Sequence, residues 1–317
     1  MSYEIGYAIS CEEHPPNDLV RFATMAERAG FSFAGISDHF HPWIDAQGHS
    51  PMVWPVVGAI AHATERLRLG TGVTCPTIRL HPAIVAQAAA TAECMMPGRF
   101  FLGVGSGENL NKHILGDRWP PTDVRLEMLE EAVEVIRLLW QGGTQSHHGR
   151  HYTVENARIY TLPDEVPSII VAAAGPKAAQ LAARIGDGFW GIAPQSELLE
   201  AYAESGGRGP RYGQATVCWA ETEEAAVETA HRQWPNAGIK GELSQELPTP
   251  THFEQAAQMV EPEDLGESLP LGPDPERHIQ SIRKYLDVGY DHVYVHQIGL
   301  DQEGFFRFYE REVLPKL

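Results

Sequence analysis

Short apolar runs alternate with amphipathic stretches along almost the whole chain. "EIGYAIS", residues 4–10, reads as a strand. Residues 17–30 follow with apolar positions at helical spacing, Asn17 placed to cap the helix and Gly30 to end it. The same alternation gives a strand at "FSFAGIS", a helix over 53–66, a strand at "LRLGTGVT", a helix over 82–95 and a strand at "RFFLGVG". A long helix is predicted over 123–141, its apolar stripe running through Leu126, Leu129, Val133, Ile136, Leu139 and Trp140.

The rhythm breaks at Gly142. "GTQSHHGRHYTVENARIY" alternates residue by residue and carries a turn at His148–Gly149, which predicts a hairpin inserted near 142–161. Strand-like runs resume with "SIIVAAAG", "GDGFWGI", "GQATVCWA" and "HVYVHQI", separated by helical segments from Pro176, near Thr222 and from Asp274. Residues 234–273 are rich in Pro, Gly, Glu and Gln and are expected to be an excursion over one end of the fold. Eight strand-like runs, each coupled to a helix, imply a parallel sheet closed into a single α/β domain, a (β/α)8 TIM barrel spanning 1–317.

Composition narrows the class. With 317 residues and 43% hydrophobic content the chain suits one barrel with a large core. A net charge of −18 and the lack of any Lys/Arg cluster argue against nucleic-acid binding. No apolar stretch reaches bilayer length, and the start "MSYEIGYAIS" lacks a basic region followed by an apolar run. Cys11, Cys75, Cys94 and Cys218 are scattered without a C-x-x-C pair, the pattern of a reduced, cytoplasmic protein.

Chemistry in such barrels sits at the C-terminal ends of the strands. Glu12 and Glu13 follow the first strand; Asp38, His39, His41 and Trp43 the second; Gly72, Val73 and Thr74 close the third. Ser106, Glu108, Asn109 and Asn111 follow the fourth, Ala172–Pro176 the fifth, and His296 and Gln297 end the eighth. Several strand ends carrying ionisable groups imply one shared mouth. "GVGSGE" is a poor dinucleotide fingerprint, because Gly107 comes two residues after Gly105 rather than three and no long helix follows. His39-x-His41 invites a metal reading, but no histidine ends the fifth or sixth strand and Pro42 stiffens the turn, so no metal is expected.

Taken in order, "SDHFHPW", "LGTGVTCPTIRLHP", "RFFLGVGSGENLN", "IIVAAAGP" and "GDGFWG" closely resemble the bacterial luciferase-like barrel superfamily, and within it the branch that uses the deazaflavin coenzyme F420. The resemblance covers nearly the whole chain and is least over 234–273. It implies an oxidoreductase moving a hydride between a substrate alcohol, or its carbonyl, and the deazaflavin. His39 would take the hydroxyl proton, Trp43 would line the pocket beside the ring, and Glu108 would handle the ring's proton. Asp38, Asn111 and the Gly72–Val73 bulge, often a cis peptide, would hold the ring; Ala173, Ala174 and Gly175 would line the coenzyme tail. Glu12, with Glu13 as fallback, and His296 would border the substrate. Relatives of this kind are usually homodimers. A neutral imidazole suits proton removal from a carbinol, and a glycine-rich loop lets backbone approach a flat ring.

Sugar-phosphate enzymes of this branch clamp the phosphate with cations. The corresponding stretches here, "APQSELL", "HFEQAAQ" near Gln255 and "LGESLPLG" near Ser268, hold no Lys or Arg, so an uncharged alcohol is expected. Lys240 would restore the phosphate reading if the excursion folds inward. A sugar or sugar-phosphate dehydrogenase, an FMN-dependent monooxygenase, a non-catalytic coenzyme-binding barrel and a metal hydrolase are the alternatives.

Overall fold

The computed structural model describes residues 3–239, 241–266 and 269–317. In chain order its strands are β1 (Glu4–Ile9), β2 (Phe33–Ile36), β3 (Arg68–Thr71), β4 (Phe100–Val104), β5 (Gln145–His148), β6 (Thr153–Ala157), β7 (Ile169–Ala172), β8 (Gly188–Gly191), β9 (Arg211–Val217) and β10 (His292–Gln297). The helices used below are α1 (Pro16–Ala29), α2 (Val53–Ala63), α3 (Pro82–Met95), α4 (Asn109–Lys112), α5 (Thr122–Trp140), α6 (Pro176–Ile185), α7 (Ser196–Glu204), α8 (Glu223–Gln233), α9 (Leu243–Glu246), α10 (Pro250–Ala257), α11 (Pro262–Gly266), α12 (Pro275–Val288) and α13 (Gln302–Phe308). A closed parallel barrel runs β1-β10-β9-β8-β7-β4-β3-β2, and β5 pairs antiparallel with β6 outside it. This is a (β/α)8 TIM barrel. Among the described residues no helix is long and apolar enough to cross a membrane.

Two boundaries differ from the sequence expectation. The first helix starts at Pro16, not behind an Asn17 cap; Pro15 holds the cap position without a side-chain bond, because a proline ring at the first helical position already carries the required φ. Its other end is as expected: Gly30 takes φ 100° and its N–H reaches the carbonyls of Ala26 and Glu27. The second helix stops at Ala63 rather than Arg66. The Glu27 carboxylate explains this, accepting from the backbone N–H groups of Glu65, Arg66 and Leu67 at 3.0, 2.7 and 2.8 Å and drawing the chain out of the helix.

The barrel interior is filled from below. Ala8, Phe33, Phe101, Ile170, Trp190, Tyr212 and Tyr294 pack together, with the partly buried Val73 and Ala172 against them. Trp190 Nε1 donates to Tyr294 Oη at 2.6 Å, and Tyr294 Oη donates to Gln214 Oε1 at 2.9 Å, so both polar tips of this plug are satisfied. The open end of the barrel therefore begins at Val73 and Ala172.

The last helices are pinned by a buried imidazole. His278 donates from Nε2 to the Gly272 carbonyl at 2.9 Å and accepts from the Tyr309 hydroxyl at 3.0 Å. Burial pushes its pKa down from 6.5 to about 4, with the Gly272 carbonyl acting in the other direction. The unfolded chain takes up this proton near 6.5 while the fold resists it until about 4. Stability from this group is thus complete above about 6.5 and is lost as pH falls toward 4. We expect this one group to cost roughly 3 kcal/mol over that window. His278→Gln should flatten that part of a denaturant-midpoint-against-pH curve; an unchanged slope would show that the proton is taken up elsewhere.

Candidate active site

The loop after β2 carries His39 into the mouth. Its Nδ1 lies 3.4 Å from Glu12 Oε1 and 3.3 Å from the His41 carbonyl oxygen. Both partners are acceptors, so the ring is held with its proton on Nδ1. The lone pair on Nε2 then faces Glu108, whose Oε1 is 3.9 Å away. Glu12 is fixed in turn: its Oε2 accepts from the hydroxyls of Ser37 at 2.6 Å and Ser10 at 3.1 Å. A carboxylate, an imidazole and a second carboxylate from three strand ends thus form one row.

Trp43 flanks that row. Its indole lies 5.0 Å from the His39 ring and 5.1 Å from Phe253 of α10, the latter edge-on. The excursion after α8 therefore covers this side of the mouth. Gln47 locks the turn, accepting from the Trp43 N–H at 2.8 Å and donating to the Gln233 carbonyl at 3.0 Å. Asn109 adds a tie from α4, its amide donating to the Glu246 carbonyl at 3.0 Å.

Glu108 occupies the N-cap position of α4 yet makes no capping bond with its side chain. Its carboxylate instead accepts from the Asn111 amide, and Asn111 Oδ1 accepts from the backbone N–H groups of Phe40 at 2.7 Å and His41 at 3.1 Å. Asn111 thereby ties the second and fourth strand-end loops together. Asp38 is buried beside them, accepting from the Thr74 hydroxyl at 2.8 Å and from Arg79 at 2.6 Å.

Gly72–Val73 is a cis peptide at the floor of the mouth. A side chain at Gly72 would meet Trp190 at 2.7 Å, which leaves room there only for glycine. The glycines after β4 divide their work. Gly103 is part of the barrel wall: a Cβ there would stand 1.9 Å from the Thr71 carbonyl oxygen. Gly105 lies against Val73, and Gly107, at φ +84°, lies over the Lys112 side chain. Gly103 is thus taken up by barrel packing, while Gly105 and Gly107 lie in the loop beyond β4. At the end of β7, Ala173 is buried and donates its N–H to the Trp190 carbonyl at 3.0 Å. Ala174 is exposed, and Gly175 caps α6 with nothing within 4 Å of where a Cβ would stand.

Glu13 and His296 form a separate buried pair. His296 Nε2 is 2.9 Å from Glu13 Oε2, and Glu13 Oε1 accepts from the Gly299 N–H at 2.9 Å. The His296 ring packs edge-on against Trp234 at 4.5 Å, and its Nδ1 has no hydrogen-bond partner among the described residues. His41 turns away from His39: its Nδ1 donates to the Leu110 carbonyl at 3.1 Å and its ring stacks on His113. Among the described residues no group of three or more His, Cys, Asp or Glu side chains is placed to hold a metal ion.

Sequence reasoning did not single out Ser37, Gln47, Arg79 or Lys112. Ser37 was legible in principle, as the last residue of the quoted strand "FSFAGIS". Arg79 and Lys112 lie far from their partners along the chain and gave no local signal.

A family model described as luciferase-like monooxygenase matches residues 2–292. An F420-dependent glucose-6-phosphate dehydrogenase of Beutenbergia cavernae is 36% identical over 326 residues, covering 99% of this chain and 97% of that protein. A solved F420-dependent secondary alcohol dehydrogenase, in complex with an F420-acetone adduct, superposes with TM-score 0.91 at 28% identity, covering 99% of each chain. The coenzyme F420 dependent tetrahydromethanopterin reductase from Methanopyrus kandleri shares the fold at TM-score 0.79 and 21% identity, covering 100% of this chain and 99% of that one. The chain belongs to the luciferase-like monooxygenase family.

Proposed function

Starting from that membership, we propose that the protein is an F420-dependent oxidoreductase acting on a CH–OH group, and that its substrate is an uncharged alcohol or the corresponding carbonyl. The observation that carries the catalytic assignment is the His39 row: a Glu12-oriented imidazole whose Nε2 is turned to Glu108 and whose ring packs beside Trp43.

The mouth fits a flat, anionic-tailed coenzyme. Val73 and Ala172 are partly open above the aromatic plug, which gives an apolar floor. The space at Gly175 is clear where the ten-residue helix α6 begins, and its backbone N–H groups suit a phosphate. When bound, F420 supplies a ring carbon that accepts or returns a hydride. The protein's own residues do the rest. His39 Nε2 accepts the carbinol proton, and the nearby Glu12 carboxylate stabilises the imidazolium that results. Trp43 and Phe253 keep water from the reacting carbon. Glu108, oriented by Asn111, would hold a proton toward the edge of the bound ring.

The choice of substrate rests on the cations. Gln195 and Gln255 stand where the sugar-phosphate enzymes are expected to carry positive side chains. Arg79 is engaged by Asp38, and the exposed Lys177 pairs with Asp123 at 2.7 Å. Ser268 and Lys240 lie outside the described residues. A sugar-phosphate substrate is the second reading, favoured by the name of the 36%-identical relative. Absorbance titration with F420 and with FMN, followed by a panel of simple secondary alcohols and hexose 6-phosphates, tests both parts. F420 binding with turnover of neutral alcohols is expected. Turnover confined to the phosphates would reverse the substrate assignment, and tight FMN with no F420 binding would remove the cofactor.

A further inference from the structure

Lys112 is one of the most buried side chains in the molecule, at 1% exposure, although it is the last residue of a four-residue helix beside the mouth. Its ammonium donates to the Cys75 carbonyl at 3.0 Å. Its stem runs under Gly107, where a Cβ would meet Lys112 Cε at 2.6 Å. Among the described residues no carboxylate lies within ion-pair distance of it. A desolvated ammonium served by one carbonyl is costly, and packing alone would be met as well by methionine.

The location gives the charge a use. Cys75 follows the cis bulge at the floor of the mouth, and Gly107 belongs to the glycine loop that ends at Glu108. Lys112 therefore lies between the two segments that the proposed function assigns to the coenzyme ring. Four charges cluster here. Burial pushes the Cys75 thiol up to about 12; Lys112 and Arg79 act to lower it, while Glu108 and Asp38 raise it. Arg79 and Asp38 neutralise one another as a close pair at 2.6 Å. That leaves Lys112, bonded to the Cys75 carbonyl rather than to a carboxylate, and Glu108, which lies 3.9 Å from His39 Nε2.

We propose that Lys112 is an electrostatic tuning residue: its buried ammonium, held between the Val73–Cys75 bulge and the Gly105–Glu108 loop, favours the reduced over the oxidised form of the bound deazaflavin. A ring that gains a hydride gains negative charge, and a fixed cation beside it in a water-poor site stabilises that form selectively. This rests on the assignment of F420 to the mouth.

The test compares affinities rather than rates. The full chain, Lys112→Met and Lys112→Arg are titrated anaerobically with oxidised and with reduced F420. In Lys112→Met the affinity for reduced coenzyme should fall about tenfold relative to the oxidised form, the order one buried charge exerts across several ångströms at intermediate dielectric. That ratio corresponds to a bound two-electron couple about 30 mV lower. Lys112→Arg should keep the ratio within about twofold, since the charge is retained. Should Lys112→Met fail to fold, Lys112→Gln, which keeps a donor for the Cys75 carbonyl, carries the same expectation. Equal weakening of both forms, or no change in the ratio, assigns Lys112 to loop packing and overturns the proposal. Failure of the unsubstituted chain to bind either form instead removes the F420 assignment, and the inference with it.

Discussion

His39→Ala is expected to lower kcat by about 10²–10⁴-fold, the range for losing a positioned general base, while F420 affinity stays within about threefold. The asymmetry follows from where the side chain points. Its Nδ1 is occupied by Glu12 and the His41 carbonyl, and the ring packs beside Trp43. Neither the bulge at Gly72–Val73 nor the space at Gly175 depends on it. What the substitution removes is the acceptor at Nε2. Glu12→Gln should give a loss approaching that of the alanine variant, because the amide can donate to Nδ1, favour the tautomer with its proton on Nε2, and no longer offset the charge of the imidazolium. An alanine variant with near-normal turnover and unaltered pH dependence would take the base away from His39. One that simply stopped binding coenzyme would make it a structural part of the ring site.

Gly103→Ala is expected to destabilise the fold by about 3 kcal/mol or more, at the upper end for overpacking. The added methyl has no exit: a Cβ there stands 1.9 Å from the Thr71 carbonyl oxygen and 3.1 Å from Val73 Cγ1. The same residue's carbonyl accepts from the Thr71 hydroxyl at 2.8 Å and the Thr74 N–H at 2.9 Å, so pulling β4 away from β3 breaks the contacts that hold the bulge. Thermal midpoints should fall by roughly 5 °C or more for a chain of this size. Gly175→Ala is the contrast, since its extended backbone and clear surroundings accept a methyl without strain. It should leave stability unchanged and weaken coenzyme binding if α6 receives the anionic tail. A Gly103→Ala protein as stable as its parent would show that β3 and β4 are less tightly joined than the structure has them.

Much of the scaffold was legible because its causes are local. Gly30 ends α1 because only a residue without Cβ adopts φ 100° freely, and that can be read from one letter at the end of an amphipathic run. Asn17 misled because two neighbours competed for the helix start and the proline had the stronger local constraint. The short α2 was not legible at all, since Glu27, which ends it, belongs to the preceding helix. The glycine run after β4 gave composition without roles: one strained wall position and two loop positions look alike until Thr71 and Lys112 are seen beside them.

By itself, then, the sequence determined the alternation of strand and helix and the strand ends at which polar side chains gather. Each of these follows from residue spacing within a few turns of chain. Only the tertiary structure decided which of those side chains meet. Glu12 turns to His39 and Glu13, its neighbour, to His296, a difference of one residue in a strand-end loop that no periodicity encodes. It also decided that Lys112 is buried. Those outcomes depend on barrel closure, which fixes distances between residues tens to hundreds of positions apart.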